Sequence, residues 1–371
     1  MSIGILTFHC AYNFGSSLQT YALKTYLTNA GYDVQVIDYR SPDFDNYKIF
    51  RGPSPKTLAS DVMFLLRNLK RRQSFQAFWK THLNLTRRTY QGKNAYAALS
   101  NDLGCFDAVI CGSDQIWNLD CTRGPLPPFF LACVPDNVRK ISYAPSLSHP
   151  RFDEKNFTTT DKRNIAQWLD RFDAISVREL SVSQQFQQLT SKNMIETLDP
   201  TLLLNINDYR HIQSPRLPNG LRKGRYIFAY TLWPNADMNH YIDAFAQKHG
   251  LTIVYYSKRK HPYSSPSINA WGIGPEDFLA LIDGAHSVIS NSFHATVFSI
   301  FYNTPFITFG TEKSSSRMKT LLSNLDLPQQ HLLPTNFKGD TDQEPFTSTL
   351  DYDKLDALRN TSQTFLAKAL N

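Results

Sequence analysis

Short apolar segments alternate with helix-patterned segments along this chain, and the alternation restricts its fold more than any other feature of the sequence. The opening residues show the pattern: a strand is predicted over Ile3–Phe8, a small-residue turn over Asn13–Ser17, then a helix, and a second strand over Val34–Ile37. Strands that alternate with helices pair in parallel and form a doubly wound sheet. We therefore predict an α/β fold.

The alternation runs through two stretches of the chain, and a polar segment at residues 205–223, rich in turn-forming residues, is predicted to link them. The predicted strands are Asp107–Cys111, Lys140–Ala144, Ala174–Val177 and Ile195–Leu198 before the linker, and Tyr226–Tyr230, Thr252–Tyr256, Ser287–Ser290 and Pro305–Phe309 after it. A chain of 371 residues can form two such domains. We expect two Rossmann-like domains facing a cleft, at residues 1–204 and 205–350, and a final helix at 351–371 that packs back across their junction.

The positive charge of the chain lies almost entirely near its N-terminus. Residues 1–100 contain 13 Lys and Arg against 5 Asp, whereas the remaining 26 basic and 27 acidic residues nearly cancel. Much of the excess lies in a predicted helical hairpin at residues 57–90, where aromatic residues alternate with cations. This pattern is typical of helices that contact anions or membrane surfaces, and a solvated helix face is the alternative. The net charge is only +7 and no nucleic-acid motif is recognised, so we expect no nucleic-acid partner.

Targeting and cysteine patterns both favour a cytoplasmic protein. The N-terminal apolar run is too short for a secretory signal, and no stretch has the roughly 18 apolar residues that span a bilayer. The five cysteines have no CxxC spacing, so we predict reduced thiols, no disulfide framework and no metal site.

Polar residues follow the predicted strands where open α/β sheets bind ligands, beyond the carboxyl ends of the strands. In chain order the candidates are Asn13, Gly15, Ser16 and Gln19, then Ser113, Asp114, Gln115 and Trp117, then Arg178, then Ser292, Phe293 and His294, and finally Lys313 and Arg317. Histidine can act as acid or base near neutral pH, and arginine binds carboxylate and phosphate. The structural alternatives are a capping His294, a surface ion pair of Arg178 and Glu179, a helix cap at Asp114 and a core Trp117.

Several separated motifs resemble those of one known family. They are GILTFHCAYNFGSSLQTYALKTYLTNAGYDVQVIDYR, then FDAVICGSDQIWN, ISYAPSLS, ISVRELS and LDPTLLL, and finally FLALIDGAHSVISNSFHATVFSIFYNTPFITFG. In this order, over residues 3–325, the chain resembles the polysaccharide pyruvyl transferases. The resemblance implies a GT-B arrangement. It also implies transfer of pyruvate from phosphoenolpyruvate, as a ketal, onto a sugar of a cell-surface polysaccharide or of its lipid-linked or nucleotide-linked precursor.

The same resemblance implies roles for the candidate residues. His294 would be the acid and base, and Arg178 would bind an anion. Phosphoenolpyruvate, the donor substrate, would also contact Ser292, Phe293, Arg317 and Lys313, and no further cofactor is expected. The acceptor sugar would lie against Asn13, Gly15, Ser16, Gln19, Ser113, Asp114, Gln115 and Trp117. Some members of the family have arginine where this chain has Ser292, so another cation such as Arg317 is required here.

Two other functions fit the same features. A GT-B glycosyltransferase that uses a nucleotide sugar would share the fold, because a fold does not determine the chemistry, and nucleotide binding would distinguish it. A non-catalytic sugar-binding protein of polysaccharide assembly would keep its function without His294. For the transferase, the basic segment at residues 67–93 predicts peripheral contact with the inner face of the membrane or with a lipid-linked acceptor.

Overall fold

The computed structural model describes residues 1–41, 62, 64–92, 94–147, 157–233, 235–258, 263–310, 315–337, 343–347 and 349–371. The chain divides into two compact units. The first comprises Met1–Lys48, Trp79–Leu204 and Asp356–Asn371, and the second comprises Ile49–Phe78 and Asn205–Leu355.

The described residues form fourteen strands and twelve helices. The strands are β1 Ser2–Leu6, β2 Asp33–Val36, β3 Tyr39–Arg40, β4 Tyr90–Gln91, β5 Ala108–Cys111, β6 Arg139–Ser142, β7 Ala174–Val177, β8 Met194–Glu196, β9 Tyr226–Tyr230, β10 Thr252–Tyr255, β11 Ser267–Asn269, β12 Ser287–Ser290, β13 Phe306–Gly310 and β14 Leu332–Pro334. The helices are α1 Phe14–Asn29, α2 Leu65–His82, α3 Ala95–Asp102, α4 Leu119–Thr122, α5 Thr159–Asp170, α6 Leu180–Phe186, α7 Ile206–Ile212, α8 Ala236–His249, α9 Pro275–Gly284, α10 Phe293–Phe301, α11 Ser315–Asn324 and α12 Tyr352–Leu370.

Each unit is built on a parallel six-stranded sheet. The strand order is β2-β1-β5-β6-β7-β8 in the first unit and β11-β10-β9-β12-β13-β14 in the second, and the short strands β3 and β4 form a separate parallel pair. In each sheet the chain first adds strands on one side of an inner strand, β1 or β9. It then crosses over and adds the remaining strands on the other side. This reversal places a topological switch point between β1 and β5 in the first unit and between β9 and β12 in the second. Ligands of doubly wound sheets bind beyond the carboxyl ends of the strands at such points.

The central strands are buried along their whole length. Every residue of β5, β9, β12 and β13 is buried. Continuous burial is expected when helices cover both faces of a parallel sheet, and it explains why these strands are uninterrupted apolar or small-residue runs. The prediction of parallel α/β sheets is therefore confirmed.

The predicted helical hairpin is different in the structure. Residues 57–61 and 63 lie outside the described part, and residues 65–82 form one continuous helix, α2, rather than two. Up to Phe78 this helix belongs to the second unit, not to the first as expected. The reason is local packing: the Arg71 guanidinium lies 4.3 Å from the centre of the Trp271 ring, and the Trp271 indole nitrogen donates a hydrogen bond to Asn68 at 3.0 Å.

The structure also assigns the predicted linker and the C-terminal helix to particular units. The predicted linker contains α7, whose Tyr209 is fully buried and packs edge-on against Phe298 at 4.9 Å, so this segment is part of the second unit. The C-terminal helix α12 belongs to the first unit from Asp356 onward. There the Arg359 guanidinium donates to the carbonyl oxygens of Leu202 at 2.7 Å and Leu204 at 2.6 Å. None of the described helices is long and apolar enough to cross a bilayer.

Candidate functional site

The switch point of the first unit joins the start of α1 to the loop that follows β5. The side chain of Asn13 caps α1 by accepting a hydrogen bond from the Ser16 amide at 3.3 Å. The Ser16 hydroxyl donates to the Asp114 carboxylate, and the Thr7 hydroxyl donates to the Ser113 carbonyl at 2.9 Å. Both loops are thus held together by buried hydrogen bonds, and the partial positive charge of the α1 N-terminus faces a carboxylate.

The backbone after β5 is unusual because it turns very close to the next strand. The Gly112–Ser113 peptide bond is cis, and a Cβ atom at Gly112 would overlap the carbonyl oxygen of Tyr143. Asp114 follows with a φ of 75°, in the left-handed region. Only glycine fits at Gly112, and the turn brings the Asp114 carboxylate to Ser16.

Gln19 and Ser113 support this turn from within. Both are fully buried. The Gln19 side chain accepts from the Ser113 amide at 3.1 Å and donates to Thr7 at 3.0 Å, and the Ser113 hydroxyl donates to the Ala144 carbonyl at 2.6 Å. Their hydrogen-bonding groups are used inside the protein, and their predicted contact with the acceptor stays a prediction.

Trp117 is also a core residue rather than a surface for sugar binding. Its side chain is fully buried, and its indole nitrogen donates to the Phe129 carbonyl at 2.9 Å. Its ring stacks on Phe130 at 5.3 Å and meets Phe186 edge-on at 5.1 Å. The alternative prediction, that Trp117 is a core residue, is therefore the one that the structure shows.

The remaining predicted acceptor residues differ in their exposure. Asn13 and Gln115 are partly exposed, whereas Gly15 and Ser16 are buried in the first turn of α1, and Asp114 is 8% exposed. The Gln115 side chain accepts a hydrogen bond from Asn118 at 2.8 Å. Carboxylate and amide groups of this kind can bind sugar hydroxyls by hydrogen bonds.

Arg178 follows β7 and is committed to buried ion pairs. Its Nε atom lies 3.0 Å from Glu179 and its Nη1 atom 2.8 Å from Asp199, and all three side chains are buried. Burial alone would lower the pKa of Arg178, but Glu179, Asp199 and Asp114 raise it. One cation therefore faces three carboxylates, which makes this locus unfavourable for a multiply charged anion.

A second buried charge cluster lies beside the start of α1, and its pairing was not predicted from the sequence. The Nε2 atom of His9 lies 2.9 Å from Asp38, and its Nδ1 atom lies 3.3 Å from the Thr7 carbonyl oxygen. Both partners are hydrogen-bond acceptors, so both ring nitrogens carry protons. Burial alone would lower the pKa of His9, but Cys10 and Asp38 raise it to about 10. Asp38 also accepts two hydrogen bonds from Arg40 at 2.8 Å.

In the described part of the chain, one group of side chains has the composition of a metal site. It consists of His9, Cys10 and Asp38. The fit is poor, because the Asp38 oxygens already accept hydrogen bonds from His9, Arg40 and Thr89. Two cations occupy the place where a metal ion would bind, and His9 carries a proton on the nitrogen that would be the ligand.

The switch point of the second unit carries His294. β9 and β12 are neighbours in register at Tyr230 and Ser290, so the loops after them run side by side. Ser292 caps α10 by accepting from the Ala295 amide at 3.4 Å, and His294 is the second residue of this helix. His294 is 8% exposed and meets the ring of Phe293 edge-on at 5.3 Å.

Arg317 lies in the first turn of the helix that follows the next strand of the sheet. β12 pairs in parallel with β13, α11 begins at Ser315, and the partly buried Arg317 is its third residue. The carboxyl ends of two adjacent strands are thus followed by His294 and by Arg317. Lys313 lies outside the described residues.

Comparison with known proteins places both the fold and the family. The structure is similar to a UDP-N-acetylglucosamine 2-epimerase from Listeria monocytogenes, with a TM-score of 0.53, 9% identity and coverage of 100% of this chain and 90% of that chain. It is also similar to the UDP-GlcNAc 2-epimerase from Methanocaldococcus jannaschii, with a TM-score of 0.50, 8% identity and coverage of 97% and 92%. At this identity the likeness establishes the fold alone, and it confirms the GT-B-like class with two Rossmann-like domains.

Sequence comparison gives the family. No curated protein shows significant sequence similarity to the chain. Residues 13–313 match the family model described as Polysaccharide pyruvyl transferase, which covers most of the chain and both units. The chain belongs to the polysaccharide pyruvyl transferase family.

Proposed function

We propose that this protein transfers pyruvate from phosphoenolpyruvate onto two hydroxyl groups of a saccharide and so forms a pyruvate ketal. The observation that carries the proposal is the position of His294, in the first turn of α10 at the switch point of the second unit. Ligands of this class of sheet bind at that point, and histidine is suited to proton transfer near neutral pH. Membership of the family supports the same reaction class.

Binding of the donor is assigned to the second unit. Phosphoenolpyruvate carries a carboxylate and a phosphate, which require positive charge and hydrogen-bond donors. The first turn of α10 offers backbone N–H groups at the positive end of the helix dipole, and Arg317 follows the adjacent strand. Arg317 would then supply the positive charge that an arginine at position 292 supplies in some members of the family.

Arg178 is assigned a different role from the one that the sequence suggested. Its guanidinium is held by Glu179 and Asp199 inside the first unit. We propose that it positions these carboxylates, and that Glu179, which also accepts from the Ser146 hydroxyl at 2.7 Å, belongs with Asp114 to a polar region for acceptor hydroxyls. Hydroxyl groups donate readily to carboxylates, whereas a donor anion would be repelled.

His294 is the one residue that transfers protons in the proposed reaction. His294 protonates the methylene carbon of phosphoenolpyruvate, and the first hydroxyl attacks the adjacent carbon and returns a proton to the imidazole. The carbon–oxygen bond to phosphate then breaks, and the second hydroxyl closes the ketal. Of the two hydroxyl protons, one ends in the new methyl group and the other on the released phosphate.

Calorimetry with phosphoenolpyruvate tests the donor assignment. We expect the wild-type protein to bind phosphoenolpyruvate and Arg317→Ala to bind it at least about tenfold more weakly, since a charge-assisted contact contributes roughly 1.5 to 3 kcal/mol. Lys319 is exposed on the same helix, so Lys319→Ala is the matched control and should bind normally. Binding of UDP, GDP or CMP without binding of phosphoenolpyruvate would instead establish the glycosyltransferase alternative.

A cellular assay tests the chemistry of His294. In a host that lacks its own copy of the gene, we expect the wild-type protein to restore polymer-bound pyruvate and His294→Asn to restore none. His240→Asn changes an exposed histidine of α8 and should restore it fully. Full restoration by His294→Asn would remove His294 from the mechanism.

A further inference from the structure

Trp233 is the most exposed tryptophan among the described residues. Its side chain is 73% exposed, and the adjacent Leu232 is 40% exposed. An exposed indole next to another exposed apolar side chain is a candidate contact surface, and its place in the fold decides what it could contact. Both residues follow β9 directly, at the carboxyl edge of the second sheet.

The backbone that carries Trp233 is fixed by one buried side chain. Asn291 is 4% exposed, accepts a hydrogen bond from the Leu232 amide at 2.7 Å and donates one to the Trp233 carbonyl at 2.9 Å. These two hydrogen bonds hold the backbone on either side of the Trp233 Cα atom. The indole is therefore a preorganised surface, and binding to it carries little additional ordering cost.

The same clamp connects Trp233 to His294. Asn291 is followed directly by Ser292, the cap of α10, and His294 lies two residues further on. The switch point between β9 and β12 thus has the exposed indole on one loop and the proposed acid and base on the other. A saccharide that reacts at a donor beside His294 would lie at the switch point that both loops border.

We propose that Trp233 is a stacking platform for the ring of the saccharide acceptor. A sugar ring has an apolar C–H face and a polar rim of hydroxyls. The C–H face can cover the indole, which offers a large apolar surface, while the hydroxyls stay free to react. The inference rests on the proposed function, because it assigns this surface to the acceptor of that reaction.

Ligand-observed NMR tests the platform directly. The probes are the methyl glycosides of glucose, galactose, mannose and N-acetylglucosamine, with saturation transferred from the protein to the sugar protons. We expect transfer to at least one glycoside in the wild-type protein and in Trp233→Phe, and a loss of affinity of about tenfold in Trp233→Ala. Tyr352 is another exposed aromatic residue of the second unit, so Tyr352→Ala is the matched control and should bind normally.

Calorimetry with phosphoenolpyruvate on the same variants separates this inference from the proposed function. We expect Trp233→Ala to bind phosphoenolpyruvate normally. The platform is overturned if Trp233→Ala binds the glycosides as tightly as the wild-type protein does, or if none of the four glycosides binds the wild-type protein. Glycoside binding that depends on Trp233 in a protein that does not bind phosphoenolpyruvate would leave the platform standing and overturn the donor assignment.

Discussion

The Nε2 atom of His9 lies 2.9 Å from the Oδ1 atom of Asp38, and the two side chains are 0% and 5% exposed. Arg40 and Thr89 donate to the same carboxylate. The cluster connects the loop after β1 to the residues after β2, and His9 Nδ1 also faces the Thr7 carbonyl. It therefore stabilises the loop from which α1 and the proposed acceptor region begin.

This pair predicts a loss of stability at alkaline pH. The pKa of His9 is raised from 6.5 to about 10, against the effect of burial, by Cys10 and Asp38. Because the folded-state pKa lies above the unfolded value, the stabilisation is complete below about pH 6.5 and is lost as the pH rises toward 10. We expect the free energy of unfolding of the wild-type protein, measured with urea, to fall across this range.

His9→Gln isolates the contribution of this residue. The variant should be less stable than the wild-type protein by roughly 3 kcal/mol near pH 6 because it leaves Asp38 with one cation fewer, and the difference should shrink toward pH 10. His240→Gln changes an exposed histidine and should give the wild-type profile. A difference between His9→Gln and the wild-type protein that stays constant with pH would contradict a protonated His9.

Asp38 predicts the opposite dependence on the acid side. Burial alone would raise the pKa of Asp38, but hydrogen bonds from His9 and Arg40 hold it well below its usual range. Its stabilisation is therefore present above the ordinary pKa of an aspartate and is lost as the pH falls below it. Asp38→Asn should lower the free energy of unfolding by roughly 3 to 5 kcal/mol at pH 7, and the gap to the wild-type protein should narrow in acid.

Alanine substitutions of Trp117 and Trp233 compare the stability contribution of a buried tryptophan with that of an exposed one. Trp117→Ala removes a fully buried ring that packs on Phe130 and Phe186, so we expect it to lower the free energy of unfolding by roughly 3 to 5 kcal/mol. Trp233→Ala removes an exposed ring, and we expect a change within about 0.5 kcal/mol. Denaturant unfolding at pH 7 measures both, and similar costs for the two would contradict the assignment of Trp117 to the core.

Sequence patterns predict best those strands whose formation depends on residues close to them in the sequence. The strands β7, β9 and β12 begin and end where we expected, because apolar runs bounded by polar residues specify a buried parallel strand locally. The sequence did not indicate that α2 is continuous, because five polar residues at positions 70–74 interrupt its apolar pattern. The helix also spans the division between the units, since its residues up to Phe78 belong to one unit and those from Trp79 onward to the other.

The sequence predicts which residues lie beyond the ends of the strands, but it does not predict which of them are exposed. Trp117 and Trp233 both follow a strand, and only packing with residues distant in the sequence determines that the first is buried and the second exposed. The pairing of His9 with Asp38 joins side chains that are 29 residues apart, and no local pattern indicates it. His9 and Asp38 each lie just beyond a strand, which was the available sign that they could meet.

Substitution of Arg178 distinguishes a role in positioning Glu179 and Asp199 from direct binding of the donor. Arg178→Ala leaves Glu179 and Asp199 buried without their cation, so we expect a loss of roughly 3 to 5 kcal/mol in the free energy of unfolding. Combined with Asp199→Asn, the loss should be smaller than the sum of the two single losses, because the repulsive carboxylate is also removed. In calorimetry, phosphoenolpyruvate should bind folded Arg178→Ala within about twofold of the wild-type affinity. A selective loss of donor binding at unchanged stability would restore Arg178 to the donor site.

The exposed basic side chains of α2 predict binding to anionic membranes. Arg67, Lys70 and Arg72 are exposed, and Leu66 beside them is 81% exposed, whereas Arg71 turns inward onto Trp271. Exposed cations next to an exposed apolar side chain are typical of peripheral membrane contacts. We expect the wild-type protein to sediment with vesicles that contain phosphatidylserine and not with phosphatidylcholine vesicles, and to be released by salt.

Charge reversal on this face provides the decisive comparison. Each basic residue near an anionic surface contributes about 1 kcal/mol, so the triple change of Arg67, Lys70 and Arg72 to Glu should weaken vesicle binding by about a hundredfold or more. The matched control reverses Lys162, Arg163 and Lys368, which are exposed elsewhere and give the same net charge. If only the total charge mattered, both triple variants would lose binding equally, and the face of α2 would have no particular role. We expect the control to retain most of its binding, because screening limits the attraction to charges within about 8 Å of the surface.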